Sequence, residues 1–180
     1  MKRIFLFLLL LIPTLLFAQV PSDSVGVWVV SDNGMTRIKR ITPRRIKSTG
    51  FVKVKAKLEF DGATSDHIFN GCAKFRMYFG KVRLTEIQNR YMFGSYYSPK
   101  DFEIGEFQVK KDSRLLTGVT AQPFSSQVGA SESNKVAATV TKLRNGVYDI
   151  SVSGKAGEYC IMFAGAGASG FSGVFDFTLK

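Results

Sequence analysis

The sequence is poor in the side chains that most often carry catalysis and metal binding. It contains one histidine, two cysteines and one tryptophan in 180 residues. Zinc sites usually take three or four His, Cys or carboxylate ligands, and histidine is the commonest general base. These counts argue against a metalloenzyme and against a histidine-dependent hydrolase. We therefore predict no catalytic residue, no metal ligand and no cofactor, and we expect the protein not to be an enzyme.

Long apolar runs are scarce as well, and the one that is present lies at the start. The run Ile4–Phe17 follows two basic residues; it has 14 residues and contains Pro13. A membrane-spanning helix needs roughly 20 apolar residues, whereas a charged start, a short apolar run and a small residue such as Ala18 are typical of a secretory signal peptide. We expect residues 1–18 to be removed on export. Residues 19–180 would then form one periplasmic or extracellular domain without a transmembrane anchor.

Acidic residues are missing from one stretch of the chain. Between Arg37 and Lys57 there is no Asp or Glu, and the whole chain has a formal net charge of +11. Concentrated positive charge attracts polyanions such as lipid phosphates, acidic polysaccharides or nucleic acid, of which nucleic acid is the least expected for an exported protein. A solvated strand face whose lysines block edge-to-edge pairing is the alternative. The candidate anion-binding residues are Arg37, Lys39, Arg40, Arg44, Arg45, Lys47, Lys53, Lys55 and Lys57.

The two cysteines could form a disulfide, Cys72 to Cys160, after export. Alternation argues against the bridge. The apolar positions from Phe75 to Phe79 are odd-numbered, which places Cys72 on the opposite strand face with Lys74. Cys160 lies in a segment that is apolar on both faces, where a free cysteine packs as a small hydrophobic residue. The sequence leaves the pairing open.

Short strands separated by turns dominate the remainder of the chain. Val25–Val30 and Met35–Ile41 flank the Asn33-Gly34 pair, which favours a hairpin turn. Phe51–Phe60 alternates apolar and charged residues, as a strand with one buried face does. Further strands are expected at 73–79, 102–109, 114–117, 136–143, 147–152, 159–164 and 174–179. Nine or ten strands without a helix predict an all-β antiparallel sandwich of immunoglobulin-like type, with a small β-barrel as second choice.

Two segments receive a more specific prediction. In Phe102–Val109 the apolar residues are even-numbered before Gly105 and odd-numbered after it, so we expect a β-bulge at the glycine. Gly118–Asn134 is rich in Ser, Gly and Gln and is predicted to be a long loop.

Aromatic residues are concentrated around Gly94. Exposed rings can stack on sugar faces or fill a partner's pocket, while buried rings would cap the end of the sandwich core. The candidate ligand-binding aromatics are Tyr91, Phe93, Tyr96 and Tyr97.

Two sequence features suggest nucleotide binding or hydrolysis, but the surrounding residues do not supply the other parts that these functions need. Gly165–Gly170 reads G-x-G-x-x-G, but dinucleotide binding requires a following helix and an acidic residue about 20 positions on, and only ten residues remain. His67 follows Asp66 and could serve a hydrolase whose nucleophile is distant in sequence, although no Ser or Cys lies in a nucleophile-elbow pattern. We interpret His67 as a solvated loop histidine.

Short motifs of the C-terminal half resemble a family of small exported bacterial β proteins. The matching stretches are Ser98-Pro99 with Phe102, Lys110–Arg114, Gly146–Tyr148, Gly157–Cys160, Ala164–Ala166 and Val174–Phe177. The resemblance implies an exported β protein. No activity, substrate or catalytic residue is assigned to that family, so it implies no functional residue here.

We therefore expect a non-catalytic, exported binding or envelope-associated structural module. The first alternative is a carbohydrate or anionic-surface binder that uses the basic 37–57 region and the aromatic 91–97 loop. The second is a hydrolase with an unrecognised site. The expected partner is an anionic envelope component, a glycan or another exported protein.

Overall fold

The computed structural model describes residues 26–49, 54–79, 99–122, 125–129, 135–163 and 173–180. Within these ranges the chain forms fifteen strands and one 3-10 turn, Pro99–Asp101, with no α-helix. The strands are β1 (Gly26–Ser31), β2 (Gly34–Arg37), β3 (Arg45–Thr49), β4 (Val54–Asp61), β5 (Ile68–Phe69), β6 (Cys72–Tyr78), β7 (Phe102–Glu106), β8 (Gln108–Val109), β9 (Ser113–Gln122), β10 (Ser125–Gly129), β11 (Lys135–Val136), β12 (Ala138–Arg144), β13 (Val147–Ser153), β14 (Gly157–Phe163) and β15 (Val174–Leu179).

These strands form three sheets. The first outer sheet has the order β12-β13-β6-β1-β2, and the central sheet has the order β11-β7-β14-β15-β5. The second outer sheet has the order β10-β9-β4-β3, with β8 also paired to β9. Neighbouring strands are antiparallel except β5, which runs parallel to β15. The predicted all-β antiparallel sandwich is confirmed, with one sheet more than the two of an immunoglobulin domain.

Two hydrophobic cores hold the three sheets together. The first core lies between the first outer sheet and the central sheet, where the ring of Phe75 packs edge-on against Phe177 with centroids 4.9 Å apart. The second core joins Leu58 and Phe60 of the second outer sheet to Met162 of the central sheet. The alternation predicted for Phe51–Phe60 is confirmed over its described end, because Leu58 and Phe60 are buried while Lys57 is exposed.

The central sheet is covered on both faces. In β14, Tyr159 and Ile161 belong to the first core, whereas Cys160 and Met162 belong to the second. Every residue of β15 is buried. This confirms the expectation that the segment around Cys160 is apolar on both faces, and it places the two strands at the centre of the structure.

The apolar phase slip at Gly105 has a different cause from the predicted bulge. The register of β7 with β14 is unbroken, so there is no bulge. Ile104 packs into the first core and Phe107 into the second, because this segment, like β14, is covered on both faces. The amide of Phe107 still donates to the Glu158 carbonyl at 2.8 Å, and the next residues pair with β9 as β8. One continuous segment therefore links the central sheet to the second outer sheet.

Gly105 is required by close packing rather than by backbone conformation. A Cβ added at this position would lie 3.1 Å from Leu116 Cδ1 and 3.4 Å from Cys160 Sγ. The glycine therefore lets the second outer sheet approach the central sheet closely.

Several strand boundaries differ from the prediction. The hairpin is confirmed, with Ser31 opposite Gly34, but its second strand β2 stops at Arg37 and Ile38 then enters the first core. The predicted long loop is wrong over much of its length, because β9 continues to Gln122 and pairs with β10. Strands β3 and β10 are both edge strands, whose backbone ladder needs no strongly apolar face, so neither has a clear sequence pattern.

Candidate functional site

The nine candidate bases do not form one surface. The stretch from Arg37 to Lys57 passes all three layers: Arg37 lies on β2 of the first outer sheet, and Ile41 pairs with Val174 of the central sheet. Lys39 and Arg40 lie in the connection that passes the central sheet, and Arg45, Lys47 and Lys57 lie on the second outer sheet. Lys53 lies outside the described residues, and only the backbone of Lys55 is described.

Arg44 is neutralised by acidic residues that follow it in the chain. Its Nη2 lies 2.8 Å from Glu59 Oε1, and its Nη1 lies 2.9 Å from Asp61 Oδ1. The hydrogen bond with Glu59 raises the pKa of Arg44, and the same bond lowers the pKa of Glu59. Burial lowers the pKa of the Arg40 guanidinium. Arg44 is therefore engaged within the protein and is a poor candidate for an external anion.

Three of the bases do converge on one exposed face. Arg45 and Lys47 of β3 lie beside β4, where Lys47 is directly opposite Lys57 and Arg45 is opposite Glu59. We call Arg45, Lys47 and Lys57 the basic face; all three are exposed. Like charges directly opposite each other destabilise a strand pair. The Lys47–Lys57 pair is thus a position where an anion would relieve a repulsion that the fold creates.

The outer face of the first outer sheet carries aromatic residues that sequence reasoning missed. The rings of Trp28 and Tyr78 lie edge to face with centroids 6.3 Å apart. Beside them, Arg76 Nε pairs with Asp149 Oδ1 at 2.6 Å, and the hydrogen bond to Asp149 raises the pKa of Arg76. The signal was present in the VGVWVV segment, because the alternation that buries Val27 turns Trp28 outward.

Other predicted sites fall outside the described residues. These are the leader 1–18, the aromatic residues Tyr91, Phe93, Tyr96 and Tyr97, and the glycine-rich segment 165–170.

A buried ionic cluster joins the second outer sheet to the central sheet. Arg114 of β9 is 3% exposed; its Nη1 lies 2.7 Å from Asp176 Oδ2 and 3.2 Å from Glu158 Oε2. Thr178 donates its hydroxyl to Glu158 Oε1 at 2.6 Å, and the Ser65 amide donates to Glu158 Oε2 at 2.9 Å. Among the described residues, no buried side-chain nitrogen or oxygen lacks a hydrogen-bond partner.

The three ionic residues of this cluster come from three short motifs of the C-terminal half. Arg114 comes from Lys110–Arg114, Glu158 from Gly157–Cys160 and Asp176 from Val174–Phe177. The guanidinium also lies 5.2 Å from the centre of the Phe107 ring. Because Arg114 and both acids are almost inaccessible, the cluster links two sheets and offers no surface to a ligand.

The candidate disulfide is not formed, because Cys72 and Cys160 are both free thiols. Alternation places Cys72 on the outward face of β6, away from its buried neighbour Ala73, while Cys160 faces the second core. The first core and the central sheet separate the two side chains. Burial raises the pKa of the Cys160 thiol well above its ordinary value.

His67 lies in the connection before β5 and is partly buried. Its amide donates to Ser65 Oγ at 3.1 Å, and its carbonyl accepts from the Thr178 amide at 2.8 Å. The described part of the chain contains no cluster of three His, Cys, Asp or Glu residues that could hold a metal ion. It also contains no helix of the length and apolarity needed to cross a membrane.

Comparison of the chain with family models, with curated proteins and with solved structures gives no match. The arrangement of residues in the three sheets is therefore the basis for assigning a function.

Proposed function

We propose that the protein is a non-catalytic binding module and that its basic face binds an acidic polymer, such as an anionic envelope polysaccharide. The observation that carries this proposal is the register of β3 and β4, which places Lys47 directly opposite Lys57 on an exposed face. Arg45 lies two residues from Lys47 on the same strand face.

The spacing of these charges suits a chain of anions. Residues two apart on a strand are about 7 Å apart, and directly opposite residues on neighbouring strands are about 5 Å apart. Arg44 holds both Glu59 and Asp61, which limits the negative charge available beside the basic face. Binding of this kind depends on the number of charges contacted and weakens as salt is added.

The test is retention on a sulfated polysaccharide column as a function of salt. The Lys47→Glu, Lys57→Glu double variant should elute at clearly lower salt than the wild-type protein. The control is the Lys74→Glu, Lys142→Glu double variant, which changes the net charge by the same amount at two exposed strand lysines of the first outer sheet. A basic-face variant that elutes with the wild-type protein, or a control that elutes equally early, contradicts the proposal.

A second candidate function is carbohydrate binding on the first outer sheet, and the Trp28–Tyr78 pair favours it. Aromatic rings offer apolar faces to sugar rings, and the neighbouring Arg76 and Asp149 could hydrogen-bond hydroxyl groups. Trp28 is the only tryptophan of the chain, so its fluorescence reports on this face directly. A saturable fluorescence change with neutral oligosaccharides that Tyr78→Ala removes would support this candidate. No change across an oligosaccharide panel would reject it.

We also propose that the protein acts after export, as the leader and the family resemblance imply. Mass spectrometry of the protein recovered from the cell envelope or medium of a bacterial host should give a chain that begins at Gln19. A chain that retains residues 1–18, or that stays in the cytoplasm, contradicts this proposal.

A further inference from the structure

A cleft of about 780 Å³ opens between the first outer sheet and the central sheet. It lies along the edge where β12 borders the first outer sheet and β11 borders the central sheet. Its lining comes from β7, β11, β12, β13 and the turn before β7. Cavities of roughly 300–1,000 Å³ are the usual size for small-molecule sites.

The cleft exists because the two sheets separate along this edge. Ala137 alone connects β11 to β12, so the sheets are held together at that point. Beyond it all seven residues of β12 are exposed. Val140 is 48% exposed although it is directly opposite Ile150, which is 3% exposed and belongs to the first core. Ala138 and Val140 therefore lie on the same sheet face as the core residues Val152 and Ile150, but no described residue of the central sheet packs over them enough to bury them.

The two ends of the cleft differ in character. At the connected end, Ile104 pairs with Val136, and Ala138 lies two residues further along the chain. About 13 Å further along the same face of β12 stands Lys142, by the rise of a strand. Lys142 is opposite Tyr148, and Lys100 also lines the cleft.

At the end of the cleft that contains Lys142, aromatic side chains connect the wall formed by the central sheet to the wall formed by the first outer sheet. Phe102 packs near Phe79, with ring centroids 6.0 Å apart, and Phe79 packs near Tyr148 at 5.7 Å. Among the lining residues that the structure describes, Glu103 is the one acidic residue. Strand alternation turns its side chain to the face of β7 opposite Phe102 and Ile104. The cleft is therefore apolar at its connected end and cationic at the other.

We propose that this cleft binds a long-chain aliphatic carboxylate, a fatty acid in free form. The hydrocarbon chain lies along Ile104, Val136 and Val140, and the carboxylate meets the ammonium group of Lys142. Charge complementarity selects this ligand class: the apolar walls favour an aliphatic chain, and Lys142 at one end favours a single anionic head group. The site is separate from the basic face, so each can fail without the other.

Binding is measured with a fluorescent long-chain carboxylate below its micelle concentration, using the full exported chain. We expect saturable binding with one ligand per protein, and affinity about tenfold or more above that of the alcohol of equal chain length, the effect of one charge-assisted contact. Lys142→Ala should abolish most of that preference while leaving alcohol binding unchanged. Lys74→Ala, on the other face of the first outer sheet, should leave both affinities unchanged.

The wall is tested with two variants. Val140→Glu places a carboxylate in the cleft and should remove binding, whereas Leu143→Glu should preserve it, because Leu143 is equally exposed at 48% but does not line the cleft. Ala138→Trp fills the cleft with an apolar side chain and should also remove binding. Because this variant adds no charge, its loss of binding would show that the ligand occupies the cleft rather than responding to charge alone. The proposal is overturned by non-saturable binding, by equal affinity for acid and alcohol, or by unchanged binding in Val140→Glu and Ala138→Trp. Binding of an extended peptide along β12, together with no binding of the carboxylate, would also overturn it.

Discussion

At the scale of single residues, Arg114 is the buried base that joins two buried acids of the central sheet. Its guanidinium compensates Asp176 and Glu158 while all three side chains are almost inaccessible to water. Removing one partner of a buried ion pair leaves an uncompensated charge, which typically costs about 3–5 kcal/mol. We predict a loss of this order in the free energy of unfolding for Arg114→Met, measured by urea denaturation.

The matched control for that change is Arg44→Met. Arg44 also bridges two acids, but its side chain is 44% exposed, and Asp61 and Glu59 are 75% and 16% exposed, so water reaches all three when the arginine is removed. We expect little change in stability for this variant. Equal losses for the two variants would mean that burial does not determine the contribution of the cluster.

The cysteines give a second prediction at this scale. Burial raises the pKa of the Cys160 thiol, and the second core also shields its sulfur, so it should not react with a thiol reagent at pH 8. Cys72 lies at the start of β6 and is partly exposed. We predict one reactive thiol in the native protein and two in denaturant without reductant. A count of zero in denaturant would instead demonstrate a disulfide.

At the scale of elements, sequence patterns predicted strands best where one face is buried and the other wet. The segments around Phe60 and Phe75 alternate in this way, and both were predicted. The pattern misled at Gly105, because alternation assumes one covered face and β7 has two. Alternation did not predict β3 or β10. Both are edge strands that form by pairing with the backbone of one neighbour, and a pattern of side chains does not show such pairing.

The candidate site could be predicted only in part for a related reason. The stretch Arg37–Lys57 is visible in the sequence as a run of bases, but cross-strand register decides which of them meet. Lys47 and Lys57 meet because β3 and β4 are neighbours, while Arg37 is carried to another sheet. Arg44 meets acids that lie 15 and 17 residues further along the chain. Trp28 could have been recognised from the alternation of its own strand.

The entry into β15 supplies a prediction about an element boundary. Gly173 has a φ of +110°, and a Cβ there would overlap the Ile41 carbonyl oxygen. This backbone approach allows the paired hydrogen bonds between Ile41 and Val174, at 2.8 and 2.9 Å. We predict that Gly173→Ala lowers the free energy of unfolding by more than the ~1–3 kcal/mol that strained backbone alone costs.

Gly71→Ala is the control for this overlap, because Gly71 has a φ of +74° but no atom within 4 Å of an added Cβ. The free energy of unfolding of Gly71→Ala should fall by the cost of a positive φ alone, without the cost of a steric overlap. The explanation fails if urea denaturation gives the two alanine variants the same stability.

At the scale of the whole molecule, the three-sheet arrangement predicts a gradient of local stability. Strands β14 and β15 are covered by a core on each face, and each has hydrogen-bonded neighbours on both sides within the central sheet. Their amides can exchange only when both outer sheets separate, which approaches global unfolding. Strand β12 is an edge strand with every residue exposed, so its amides should exchange through local opening.

Hydrogen exchange followed by mass spectrometry measures this gradient directly. Peptides from residues 157–163 and 174–179 should be the slowest of the described chain, and a peptide from 138–144 should be among the fastest. The Arg114→Met variant adds a discriminating step, because its cluster joins only the second outer sheet to the central sheet. Exchange should accelerate more in β4 and β9 than in β6 and β13 if the two cores open separately. Uniform acceleration in all four strands would instead show that the three sheets unfold as a single cooperative unit.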